Sequence, residues 1–149
     1  LHPPLLEDLG LIVAIEKYLE TLRRTQPELQ INLAAEGDFR ALDRVQALVA
    51  YRSVQEGLTN IVRHAKASHV CVTLSLNEKE LSLEISDDGI GFRRETAEAA
   101  RLDRHLGLVS MKERAELLEG SCTIESAPGK GTRLFLRLPR RKEMNRDGK

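Results

Sequence analysis

Three polar side chains recur every four residues along one stretch of the chain: Glu56, Asn60 and His64. On a helix that spacing sets a carboxylate, a carboxamide and an imidazole on one stripe. The stripe lies about 200° in helical phase from Val54, Leu58 and Ile61, so one face packs and the opposite face is polar. A carboxamide oxygen is a hard ligand suited to Mg²⁺, and a carboxylate one turn away can orient water or take a proton. The pattern reads as a metal–phosphate site. The polar outer face of any surface helix shows it too.

A second cluster is Asp87-Asp88-Gly89-Ile90-Gly91 at the end of an alternating apolar run. Two glycines allow sharp turns and close approach to a planar ligand. A buried Asp can accept a hydrogen bond from an exocyclic amine such as N6 of adenine, a charged-acceptor bond contributing about 1.5–3 kcal/mol. The competing reading is a strand-ending turn, where Asp and Gly are common. A third cluster, Leu106-Gly107-Leu108-Val109, opens a helix pattern. Gly107 there lets phosphate approach free N–H groups under a favourable macrodipole, or simply caps the helix. The fourth, Gly129-Lys130-Gly131-Thr132, lacks the G-x-x-x-x-G-K-[ST] spacing of a phosphate loop and precedes a strand, so it reads as a hairpin turn whose hydroxyl faces the site. There is no G-x-S-x-G, and no Cys in an exposed helix-N-terminal context, so serine-hydrolase and cysteine-protease readings fail.

These residues need elements to hold them. A helix is expected from Leu6 to Arg24 on the stripe of Leu9, Leu11, Ile12, Ile15, Leu19 and Leu22, ended by Pro27. Gln30–Ala34 alternates as a short strand. A second helix is expected from Asp43 to Ala65. Residues 70–87 read as an antiparallel hairpin turning at Asn77-Glu78-Lys79-Glu80. Phe92 to His105 is charged and aperiodic, a long loop. A third helix starts near Gly107, with Leu108, Met111, Ala115 and Leu118 as its apolar face, and Gly120 stops it. Ser121–Ser126 and Thr132–Leu138 are two further strands. Helices alternating with hairpin strands favour a two-layer α+β sandwich over a doubly wound parallel sheet.

Composition bounds the rest. At 149 residues the chain suits one domain. Lys+Arg and Asp+Glu are each 23, which excludes a net basic field for nucleic acid, and 3% aromatics without Trp makes stacking platforms for single strands improbable. No apolar run has the length of a membrane span. Leu1–Asp8 carries two prolines and two acids, unlike a signal peptide. Cys71 and Cys122 show no metal spacing and read as two buried core thiols, with a disulfide between adjacent strands as the lesser alternative.

In this order and spacing the four clusters resemble the nucleotide-binding domain of sensor histidine kinases, within the GHKL ATPase superfamily. The N box corresponds to Gln55–Ala65, the G1 box to Asp87–Phe92, the G2 region to His105–Ala115, and the last element to Gly129–Thr132. The string Q-E-G-L-T-N-I-V-R-H-A-K-A and the opening Leu1–Leu11 are similar to the nitrate-sensor and DesK-like subfamily, with His2 where Arg is usual. His105 takes the place of a Gly common at the end of the lid.

The resemblance implies a Bergerat fold, a mixed and mostly antiparallel sheet packed on helices. It implies ATP and Mg²⁺ as cofactors. Asp87 would hold the adenine amine, with Thr132 helping through water; Asn60 would ligate Mg²⁺; Glu56 would polarise the acceptor or water. Gly89, Gly91 and Gly107 would shape the pocket, which His64 and Leu108 border. Arg93, Arg94, Arg101 and Arg104 of the lid read as solvated charges rather than phosphate ligands. None of His2, His64, His69 and His105 stands in an acceptor context, so the expected chemistry is γ-phosphoryl transfer from ATP to a histidine of a separate dimerisation domain. Implied partners are that domain and a response regulator with a helix-turn-helix output, without direct contact to nucleic acid. Residues 1–12 would be a linker remnant, 13–139 the ATP-binding domain and 140–149 a flexible tail. The domain alone would be monomeric and cytoplasmic, or the cytoplasmic part of a membrane-anchored sensor. An anti-sigma-factor serine kinase, a binding module without kinase activity, and a chaperone or DNA-repair ATPase of the same superfamily are the rival readings.

Overall fold

The computed structural model describes residues 10–93 and 107–140. The expected helix start at Leu6–Leu9, His2, the lid positions Arg94, Arg101, Arg104 and His105, and the tail from residue 141 lie outside the described residues.

Helix α1 spans Leu11–Thr25 and buries Leu11, Ala14, Ile15 and Leu19. Ile12 and Leu22 of the expected stripe are only partly buried, and Ala14 takes their place in the core. The boundary expected at residue 12 falls inside the first turn of this helix. Strand β1, Gln30–Glu36, runs two residues beyond the expected Ala34. It buries only Ile31 fully, as suits an edge strand. Arg23 at the end of α1 donates to the Ile31 carbonyl at 2.8 Å and ties helix to strand.

Helix α2 spans Arg44–Asn60, and Asp43 caps it by accepting from the N–H groups of Val45 at 2.7 Å and Gln46 at 3.2 Å. Val54 and Leu58 are fully buried. Gln46, buried among them, donates its amide to the Pro139 carbonyl at 2.5 Å, so no buried donor is stranded there. The expected single helix to Ala65 is corrected in its last turn: Ile61–Ala65 is π-helical and ends on Lys66 in the left-handed region, φ 50°. The Ala65 carbonyl at the end of this turn accepts from Ile90 N at 2.8 Å instead of continuing an α-helical ladder. Single π turns are found mostly within helices near functional sites.

Strands β2 (His69–Leu76) and β3 (Glu80–Asp87) form the expected antiparallel hairpin, with Asn77 Oδ1 accepting from Lys79 N and Glu80 N across the turn. Helix α3 covers Leu108–Leu117 and buries Leu108, Met111 and Ala115. Its end is not made by glycine conformation. Glu119 takes the left-handed φ of 62°, while a side chain on Gly120 would collide with the Arg137 carbonyl. Strands β4 (Ser121–Ser126) and β5 (Thr132–Pro139) follow.

The five strands form one sheet in the order β1-β2-β3-β5-β4, with β1 and β2 parallel and every other pair antiparallel. The parallel pair follows from the α2 crossover between its strands. Alternation sends Val70, Val72, Leu74, Leu81, Leu83, Ile85, Leu134, Leu136 and Leu138 to one face, where the helices cover them. Each such side chain contributes about 1.5–3 kcal/mol on full burial. The result is the expected two-layer α+β sandwich. The same alternation corrects one reading of the cysteines. Cys122 is buried, but Cys71 sits between Val70 and Val72, faces the other side of the sheet and is exposed; both are free thiols.

Candidate functional site

A cavity of about 270 Å³ opens between the C-terminal part of α2, the ends of β3 and β5, and the start of α3. Its walls are mostly apolar, from Ile61, Ile85, Leu108, Ile124 and Leu134, and Asp87 is the carboxylate in its lining. An apolar slot with a few placed polar groups suits a flat aromatic ring whose edge carries hydrogen-bonding atoms.

Asp87 ends β3, directly opposite Thr132, the first residue of β5. Burial raises its carboxyl above the ordinary value, and N–H groups of Gly89 and Thr132 pull the other way. Gly89 N lies 2.8 Å from Oδ1. The turn beyond is packed too closely for side chains. A Cβ on Gly89 would strike the Ala65 carbonyl, and one on Gly131, whose φ is +70°, would strike the carbonyl of Asp87 itself. Sequence spacing alone suggested sharp turns and close approach to a planar ligand here. The structure shows close contact between the π turn, the Asp87 turn and the β4–β5 turn. Asp88 points away from the cavity. It accepts from Ser68 N at 2.7 Å, His69 N at 2.9 Å and meets His69 Nδ1 at 3.0 Å. Those bonds, the His69 backbone first, lower its pKa to about 2.

Thr132 lines the cavity, and its hydroxyl is 2.8 Å from Ser126 Oγ, its cross-strand partner. Ser126 donates to the Gly131 carbonyl at 3.0 Å and accepts from Phe92 N at 2.9 Å. One hydroxyl thus joins β4, the β4–β5 turn and the chain leaving the Asp87 turn. Sequence reasoning missed Ser126. The signal was available, because a tight turn at Gly129–Gly131 sets a register that pairs Ser126 with Thr132.

The helix stripe divides. Asn60 and His64 line the cavity together with Ile61. The expectation that set Ile61 on the opposite face is corrected: it follows Asn60 by about 100°, and Gly57, Asn60, Ile61 and His64 share one stripe facing the cavity. Glu56 is not in the cavity lining. Its Oε2 is 2.7 Å from Arg114 Nη2 on α3, both side chains about one-third exposed. Nothing in the sequence marks this pair across 58 positions. Of the glycines, Gly91 lines the cavity, Gly89 supports Asp87 and Gly107 caps α3 with φ 73° beside the Glu56 carboxylate. Leu108 is buried in the wall. Among the described residues no group of three His, Cys, Asp or Glu side chains could hold a metal ion. Magnesium bound largely through phosphate oxygens needs no such cage.

The model of one family, the histidine kinase-, DNA gyrase B- and HSP90-like ATPases, matches residues 46–142. The chain belongs to this family. The matched span contains all four sequence clusters, from Glu56 to Thr132. The chain is 35% identical over 139 residues to the oxygen sensor histidine kinase NreB of Staphylococcus carnosus, covering 93% of this chain and 39% of that protein. It is 32% identical over 141 residues to the signal transduction histidine-protein kinase/phosphatase DegS of Bacillus subtilis, covering 93% of this chain and 36% of that protein. It therefore spans less than two-fifths of the length of these curated relatives. The ATP-binding domain of PrrB from Mycobacterium tuberculosis superposes with a TM-score of 0.62 at 23% identity, over 87% of this chain and 93% of that one. That likeness establishes the fold. The resemblance to sensor histidine kinases and the α+β architecture both stand.

Proposed function

We propose that this chain binds Mg-ATP and donates the γ-phosphoryl group to a histidine of a separate dimerisation and phosphoacceptor domain, in a two-component pathway that ends on a response regulator with a helix-turn-helix output. The observation that carries the reading is the half-buried Asp87 carboxylate set into an apolar, ring-sized cavity. A carboxylate there accepts from the 6-amino group of adenine and is mismatched to a 6-oxo group. Ile61, Ile85 and Leu134 would sandwich the ring. Thr132 would add a second polar contact through water. Asn60, one turn before His64 on the cavity side of α2, would hold Mg²⁺ against the phosphates. Bound Mg²⁺ supplies charge neutralisation on the triphosphate. Glu56, one turn further back, would orient the accepting imidazole or take its proton. Positioning supplies most of the remaining catalysis in phosphoryl transfer.

On this reading residues 1–12 are a linker, 13–139 the ATP-binding domain and 140–149 a tail. No described helix is long and apolar enough to cross a membrane. The domain would work in the cytoplasm, on its own or as the inner part of a membrane sensor.

Incubation with γ-labelled Mg-ATP and the dimerisation domain of the same kinase tests the proposal. Acid-labile, base-stable label on that domain is the expected result. Acid-stable phosphoserine would make the chain an anti-sigma-type serine kinase, and tight ATP binding without transfer would make it a nucleotide-binding module.

A further inference from the structure

We propose that Arg114 is the positioning residue for the Glu56 carboxylate, which rests on the reading of Glu56 as the group that meets the accepting imidazole. The two side chains come from different helices, α2 and α3, and meet at 2.7 Å through Oε2 and Nη2. Stability does not account for the contact. Both groups are about one-third exposed, where an ion pair gains little. Arg114 also carries its Nε buried and without a hydrogen-bond partner, a desolvation cost that opposes the gain.

Geometry gives a different account. The carboxylate lies against Gly107, where an added Cβ would come within 3.5 Å of Oε2. The next residue, Leu108, is in the cavity wall. Glu56 is thus clamped on one oxygen from the α3 side. Its other oxygen, Oε1, has no hydrogen bond to a described residue, and Asn60 stands one turn along the same helix. A carboxylate that must present one oxygen to a reacting group in a fixed direction is served by a partner holding the other. Arg114 touches no reacting atom in this arrangement and acts through Glu56.

The test uses the kinase that carries this domain, assayed for phosphotransfer to its acceptor histidine. R114K, R114M, E56Q and the R114M/E56Q double variant are compared. R114M is expected to lower kcat about tenfold with KM for ATP within about twofold of wild type. R114K should restore most of the rate, and the double variant should be no slower than E56Q. Three results overturn the proposal: R114M at full rate while E56Q is slow, losses that multiply in the double variant, or a loss confined to ATP affinity, which would make Arg114 a phosphate ligand. Should R114M fail to fold, R114Q is judged by the same kcat and KM split. An E56Q variant at the wild-type rate would instead remove the reading of Glu56, and this proposal with it.

Discussion

Asp87 and Thr132 face each other as paired residues across β3 and β5, and the Thr132 hydroxyl is held 2.8 Å from Ser126 on the next strand. The carboxylate and hydroxyl that line the cavity are therefore fixed by sheet register rather than by loops. Sites built on rigid strands hold their geometry better than sites on mobile segments.

Ser126 is the joint of that arrangement. Ser126→Ala removes the hydroxyl's bonds to Phe92 N and the Gly131 carbonyl and releases the Thr132 hydroxyl from its 2.8 Å contact. Urea unfolding should show a loss of about 1–3 kcal/mol. ATP affinity should fall as well, measured by calorimetry at a temperature where the variant is folded. Unchanged stability and affinity would mean that water replaces the hydroxyl fully.

Asp88 stabilises the fold rather than the ligand. Its folded pKa of about 2 lies below the ordinary 3.8 because the His69 and Ser68 N–H groups and the His69 ring favour the carboxylate. A depressed folded pKa means that the unfolded chain binds the proton more readily. The contribution is therefore complete above about pH 4 and disappears as pH falls from 3.8 through about 2. Asp88→Ala should lower the Tm at pH 7, with the gap to wild type closing over that acid range. A gap that is constant with pH would contradict the account.

The two thiols should differ sharply. Cys71 is exposed on the outer face of the sheet, whereas burial pushes the Cys122 thiol up to about 11. A thiol reagent applied to the native protein at pH 8 should modify Cys71 alone, and Cys122 only after denaturation. Mass spectrometry of the labelled peptides reads the result.

The fold was legible because its elements are strongly periodic. Residues 70–87 alternate so cleanly that hairpin, register and buried face all follow from the pattern, and Leu108, Met111, Ala115 and Leu118 mark α3 at helical spacing. The site clusters were legible as residue types. Their grouping was not. The expected opposition of Asn60 and Ile61 was a misreading of helical phase: neighbours are about 100° apart, and Gly57, Asn60, Ile61 and His64 recur at i, i+3, i+4 and i+7, one face that looks onto the cavity. The Glu56–Arg114 pair joins two helices far apart in the chain, and no local rule links them. Cys71 was misplaced because its residue type outweighed its position. A cysteine between two inward-facing valines must point outward in a strand.

The central claim is that the Asp87 carboxylate recognises the base. Calorimetric titration of ATP into wild type and Asp87→Asn tests it most directly. The substitution should weaken binding about tenfold or more, equivalent to a loss of at least about 1.4 kcal/mol. Burial raises the carboxyl from its ordinary value, so protonation on acidification should also weaken wild-type binding, and the variant should lack this component. Equal ATP affinity in the two proteins, with the same pH dependence, would contradict the assignment.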